Sequence, residues 1–302
     1  MIGGPGSLGP CGRMIATMRP FLLWFALAAV GLAQGPRVGP AAKPGPDDKP
    51  AFPAPPSGFD QAPSGGLAGR IETFEYESKT VGFRRKAEVY LPPGYSSERK
   101  YPVLFLLHGF GGNERVWRMA GRADAILDNL IRQGKAVPMV VVMPNGRASL
   151  EPNLANPLGG DVAGDFARFE RDLVEDLLPA IEARYAVRRD REGRAIAGLS
   201  IGGGQALNVG LGRSDLFAWV AAMAPAGDPR RFDALVADPR RLRLRLLWLS
   251  RGDRDVLLGL AQGWRRQFQE AGLEHVWHVG PGIHNFEVWR ADLYWLAQRL
   301  FR

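Results

Sequence analysis

Gly198-Leu199-Ser200-Ile201-Gly202 sets a serine between two glycines, where a nucleophile could be made. A short apolar segment from Arg194 to Ala197 precedes it and reads as a buried strand, while Gly203 to Leu211 opens glycine-rich and continues as a helix. A serine on so tight a strand-to-helix turn is held in a strained backbone with its hydroxyl exposed. Serine is a poor nucleophile at neutral pH, so it needs an adjacent base, and the base needs an acid to fix its tautomer. His284 stands after a strand in Gly280-Pro281-Gly282-Ile283-His284, and Asp253 and Asp255 stand after another in Gly252-Asp253-Arg254-Asp255. A third apolar strand ends in His108-Gly109-Phe110-Gly111-Gly112, a turn that leaves backbone N–H groups free. Acyl transfer develops an oxyanion, and the N–H groups of Phe110 and Ile201 are the pair predicted to stabilise it.

The chain order Ser, Asp, His, each just after a strand, is that of the α/β hydrolases. From about Gly58 onward the chain resembles the esterase D-like members of that group, and in particular the bacterial feruloyl and acetylxylan esterases of the first carbohydrate esterase family. The likeness is carried by Val89-Tyr90-Leu91-Pro92-Pro93-Gly94-Tyr95, the His108 to Gly112 turn and Asp128-Asn129-Leu130-Ile131. It continues in Val142-Met143-Pro144-Asn145-Gly146, Arg194 to Ser200, and His284-Asn285-Phe286-Glu287-Val288-Trp289. The resemblance implies ester hydrolysis without metal or cofactor by a triad of Ser200, His284 and Asp255, the acid standing three residues after the glycine. One departure is Met223-Ala224-Pro225, where relatives often carry a serine followed by small residues. It falls near the expected substrate cleft.

The elements that must hold these residues are those of an α/β fold. Strands are predicted near 103–107, 138–143, 195–199, 218–223, 244–249 and 276–279, alternating with helices over 123–133, 166–185, 203–212, 258–271 and 287–301. Residues 71–78 and 84–91 alternate polar and apolar, as an antiparallel pair at one sheet edge would. The prediction is therefore an α/β-hydrolase fold, with a mostly parallel central sheet, helices on both faces and an antiparallel N-terminal edge, over residues 70–302. Phe169, Leu173, Leu177 and Ile181 recur every four residues along the second helix, whose acids Glu170 and Asp172 are expected in surface or capping contacts. Residues 145–164 form a long loop on the edge where ligands bind in such sheets. Trp117 and Phe286 are candidates to line an aromatic substrate pocket, with Trp289 a weaker one. His108 is expected to order its turn, and His275 and His278 to be structural.

Residues 1–33 read as a secretory signal: Arg13 and Arg19 precede the apolar stretch from Phe21 to Ala33, too short to span a bilayer. Residues 34–69, rich in Pro, Gly and Ala, read as a flexible tether that starts to pack near Gly58. Cys11, the one cysteine, lies in the signal, so disulfides and thiolate metal sites are not expected. Arg13 and Arg19 account for two of the net +8 charges. The scattered arginines that remain carry no nucleic-acid motif, and neither nucleic acid nor a stable membrane anchor is expected as a partner. The predicted function is a secreted serine carboxylesterase acting on feruloyl or acetyl esters of plant polysaccharide. The alternatives are an esterase or acyltransferase on siderophore or other small esters, and an inactive carbohydrate-binding relative.

Overall fold

Buried apolar runs separated by helices assemble into an eight-stranded sheet in the computed structural model, which describes residues 42–151, 161–227 and 239–302. The strands are β1 (Arg70–Ser78), β2 (Phe83–Leu91), β3 (Val103–Leu107), β4 (Val140–Pro144), β5 (Arg194–Leu199), β6 (Trp219–Met223), β7 (Leu246–Gly252) and β8 (Val276–Gly280). Their order is β1-β2-β4-β3-β5-β6-β7-β8. β1 pairs antiparallel with β2 and β2 with β4, and all later pairings are parallel. β3 to β6 are buried on both faces, which is why each reads as an unbroken apolar run. Within β3, Val103, Phe105 and Leu107 join one core while Leu104 and Leu106 join the other.

The helices are α1 (Val116–Met119), α2 (Ala123–Arg132), α3 (Val162–Arg171), α4 (Leu178–Arg184), α5 (Ile201–Gly212), α6 (Pro239–Leu242), α7 (Leu258–Glu270) and α8 (Phe286–Ala297). Ile126, Leu130, Leu293 and Leu296 from α2 and α8 fill the core on one face, and Phe169, Ile181, Leu207 and Trp264 from α3, α4, α5 and α7 fill the other. A π-helical turn, Asp172–Leu177, joins α3 to α4. Phe169, Leu173, Leu177 and Ile181 are all fully buried. In an α-helix a spacing of four overshoots one turn by about 40°. The wider π turn absorbs that drift and keeps the stripe on one face.

Asp172 departs from its expected surface role. It is fully buried against Arg85, and the Tyr76 hydroxyl donates to it at 2.7 Å. Arg85 shares a face of β2 with buried Ala87, Val89 and Leu91, so its charge needs a partner from the helix covering that face.

Packing begins well before Gly58, and the tether expected over 34–69 is a strap where it is described. Trp277 Nε1 donates to Asp48 at 3.0 Å, and Val279 N–H donates to Lys49 O at 3.1 Å, using the free side of edge strand β8. Phe52 stacks between Trp248 and Trp295, and Phe59 meets Tyr294 edge-on. The two phenylalanines and hydrogen bonds to Asp48, Lys49, Ala51, Pro53 and Phe59 anchor an extended chain that makes few bonds within itself. Residues 1–33, the start of the tether and the middle of the 145–164 loop lie outside the described residues. Among the described residues no helix is long and apolar enough to cross a membrane.

Candidate active site

β5 ends at Leu199 and α5 starts at Ile201, so Ser200 makes the turn between them, at φ 53° and ψ −122°. That region costs a side-chain-bearing residue about 1–3 kcal/mol, and surrounding bonds must hold it. Ser200 N–H donates to Met223 O at 2.9 Å, tying the turn to the end of β6. The crossing of strand and helix leaves no room for side chains. A Cβ on Gly198 would lie 2.3 Å from Gly202 O, and one on Gly202 would lie 2.3 Å from His108 O.

The loops after β7 and β8 bring the other two side chains to this turn. His284 Nε2 lies 3.0 Å from Ser200 Oγ, and His284 Nδ1 lies 2.8 Å from Asp255 Oδ2. An ionised carboxylate only accepts, so the imidazole proton belongs on Nδ1, leaving Nε2 to accept from the serine hydroxyl. Asp255 Oδ1 accepts from Leu257 N–H at 2.9 Å. Burial pushes the Asp255 carboxyl up, but the His284 hydrogen bond, the Arg251 charge and the Leu257 N–H together outweigh it and hold it below its ordinary value. Asp253 accepts instead from Gly282 N–H at 2.8 Å, bracing the loop that carries His284. Trp289 stands edge-on to the imidazole, ring centres 4.9 Å apart. Of the two acids, it is Asp255 that meets the histidine.

The Phe110 and Ile201 N–H groups are aimed by the carbonyls across their peptide bonds. Gly109 O accepts from His108 Nδ1 at 2.7 Å and from Gly112 N–H at 3.1 Å. Ser200 O accepts from Gly204 N–H at 3.1 Å and from Ala226 N–H at 2.8 Å. In a trans peptide the N–H points opposite to the C=O, so pinning each carbonyl twice fixes the next N–H without occupying it. His108 is fully spent on this task, because its Nε2 accepts from Gly146 N–H at 2.8 Å. The start of the 145–164 loop is anchored too: Arg85 donates to Asn145 O and Arg147 O, and Gln205 Nε2 to Gly146 O.

Trp117 does not line a cleft. It is 1% exposed, its Nε1 donates to Leu107 O at 2.9 Å, and its ring supports Phe286 edge-on. It sits on α1, a helix too short to leave a periodic signal, and the covering of Leu104 and Leu106 uses up its ring. Phe286 is half-buried between Trp117 and Trp289. Exposed large apolar side chains in the loops of the turn and triad are instead Phe110, Val256 and Ile283, at 36%, 60% and 51% exposure. Each is next to, or one residue from, a residue of the turn or triad. Their signal in the sequence is a bulky apolar residue in a loop that otherwise has no use for one.

The esterase family model matches residues 78–299. An endo-1,4-beta-xylanase/feruloyl esterase of Xylanibacter ruminicola is 32% identical over 243 residues, covering 78% of this chain and 32% of that protein. An esterase of Mycobacterium tuberculosis is 26% identical, covering 76% and 59%. The chain thus spans about a third and three fifths of these relatives' lengths. A ferulic acid esterase of Anaeromyces mucronatus, solved with ferulic acid, superposes with a TM-score of 0.72 at 26% identity, covering 82% of this chain and 96% of that one. Another ferulic acid esterase gives 0.66 at 30% identity, covering 78% and 100%. The sheet order, the elbow at Ser200 and these matches make this an α/β-hydrolase fold, and the chain belongs to the esterase family.

Proposed function

We propose that this chain is a secreted serine carboxylesterase that removes feruloyl groups from plant polysaccharide or its oligosaccharides. The observation that carries the reading is the hydrogen-bonded chain Ser200–His284–Asp255 at a strained elbow, beside two N–H groups aimed by their pinned carbonyls. His284 takes the Ser200 proton as the hydroxyl attacks the ester carbonyl, and Asp255 stabilises the imidazolium. The oxyanion is held by Phe110 and Ile201 N–H. The imidazolium then gives its proton to the leaving alcohol, and water hydrolyses the acyl-enzyme by the same steps in reverse. Secretion rests on the basic and apolar pattern of residues 1–33.

The aromatic acyl group is supported by two things. Relatives named as feruloyl or ferulic acid esterases match over most of this chain. Exposed Phe110, Val256 and Ile283 also offer apolar surface beside the triad that an acetyl group would not need. The experiment is kcat/KM of the protein without residues 1–33 on methyl ferulate and on acetylated xylan, each also with Ser200→Ala. The ferulate should be preferred by about ten- to a hundredfold, and Ser200→Ala should lose activity by a factor on the order of 10⁴ or more. Activity on acetyl esters with none on cinnamates rejects the feruloyl assignment. Turnover by Ser200→Ala rejects the mechanism.

A further inference from the structure

Beneath the acid loop lies a buried cation with no part in the steps above. Arg251, next to the last residue of β7 and four before Asp255, has a side chain with no exposure at all. Its Nη2 donates to Pro225 O at 2.7 Å. Its Nε lies 3.7 Å from Asp255 Oδ2, the oxygen that also accepts from His284. Nε and Nη1 have no hydrogen-bond acceptor among the described residues. A guanidinium this dry is tolerated when an opposite charge stands beside it, and Asp255 is that charge. Burial pulls Arg251 down to about 10, with Asp255 pulling the other way, so it remains a cation at neutral pH.

Pro225 is part of the turn that supports the nucleophile. Met223 O receives the Ser200 N–H, Ala226 N–H donates to Ser200 O, and Ala224, at φ 45°, donates to Ser250 O. Arg251 therefore joins two segments that carry different members of the triad. The departure at Met223-Ala224-Pro225 lies where its hydrogen bond lands.

We propose that Arg251 is a positioning residue for ester hydrolysis: it is the buried counter-charge of Asp255, and it ties the acid loop to the turn that holds Ser200. The proposal rests on the triad reading. The other ionisable groups packed here do not supply that charge. Asp292 on α8 is pushed up by burial to about 8, and His278 on β8 is pulled down by burial to about 4, so both are neutral near pH 7. Asp253 and Arg254 pair with each other in the loop, and Arg299 stacks on Phe52.

The role has a signature in the pH profile. Removing a positive charge makes it easier for the coupled Asp255–His284 pair to take up a proton, whichever member receives it. Arg251→Gln keeps a donor for Pro225 O without the charge, Arg251→Met keeps neither, and Arg251→Lys keeps the charge. With Gln or Met, the acid limb of kcat/KM should move to higher pH by about one unit. With Lys it should stay within about 0.3 unit while kcat falls. A residue that only fills space would lower kcat without moving the limb. An unmoved limb in a folded Gln or Met protein overturns the proposal, as does an equal shift in Lys. Should both neutral variants fail to fold, Arg251→Gln is combined with Asp255→Asn: recovery of folding supports the counter-charge role, and continued failure to fold overturns it. Ser200→Ala is assayed alongside. Its activity would reject the triad itself, whereas an inactive Ser200→Ala protein with an unmoved limb rejects Arg251 alone.

Discussion

Two buried arginine–aspartate pairs hold this molecule in different ways. Arg85 and Asp172 are in direct contact, Tyr76 OH donates to the carboxylate, and the guanidinium also serves Asn145 O and Arg147 O. Arg251 and Asp255 stand 3.7 Å apart, two of the guanidinium nitrogens have no acceptor among the described residues, and the carboxylate oxygens are spent on His284 and Leu257 N–H. Burying a charge is costly, and the Arg85 guanidinium recovers more of that cost in hydrogen bonds than Arg251 does, although Asp172 Oδ1 has no partner among the described residues. The second pair leaves its carboxylate available to the imidazole. The pair whose guanidinium is bonded to loop carbonyls fixes a loop, and the pair whose guanidinium is left unsaturated supplies a field.

Neutralising the acid of each pair separates their roles. Asp255→Asn should lower turnover by about 10⁴-fold, because His284 loses the acceptor that sets its tautomer. Asp253→Asn, which loosens the Gly282 contact and loses the exposed pairing with Arg254, should cost less than about tenfold. Asp172→Asn should show its effect in stability, by about 3–5 kcal/mol in denaturant unfolding, since it leaves Arg85 buried without its charge partner. The folded fraction should keep the catalytic rate. If Asp172→Asn proves catalytically dead but stable, or Asp255→Asn loses more stability than it does, the two pairs have been assigned the wrong way round.

The sequence revealed most where local pattern and chemistry coincide. Strands β3 to β6 fall within two residues of the segments expected from apolar runs, because a strand buried on both faces has no polar positions to blur its limits. The elbow at Ser200 and the loops bearing Asp255 and His284 sit directly after such strands, so their places followed from the strands. What was not legible depends on contacts between distant segments. Proline-rich composition hid the strap, whose anchors Phe52 and Phe59 gain meaning only from the aromatic residues of β7 and α8. Asp172 reads as a surface acid until Arg85 is seen facing inward from β2. Trp117 was misjudged because an aromatic beside a glycine turn suits a cleft and a core equally well. Its hydrogen bond to Leu107 O and its burial decide for the core.

A third carboxyl sharpens the comparison by the smallest effect. Asp292 lies under the Arg251–Asp255 pair, fully buried beside the Ser250 hydroxyl, with His278 Nε2 3.9 Å away. Burial pushes it up to about 8, against the Ser250 hydroxyl, which lowers it, and with the Asp255 charge acting in the same direction as burial. Between about pH 4 and 8 the unfolded chain has therefore released this proton while the folded protein keeps it. Stability falls as pH rises through that window and levels off above it. His278, pulled down by burial to about 4, acts in the opposite sense between there and its ordinary value near 6.5. The Asp292 slope is consequently cleanest from pH 6.5 to 8. Asp292→Asn removes a proton that can be lost and changes little in shape. Its stability relative to the parent should climb across that window, to a gain on the order of 1 kcal/mol at pH 8, with turnover within a few-fold. Urea midpoints of both proteins at pH 5, 6.5 and 8 measure it. A difference that stays flat with pH would show that Asp292 is ionised in the fold. The region under the triad would then hold two anions against one cation, and the supply of charge to His284 would no longer rest on Arg251 and Asp255 alone.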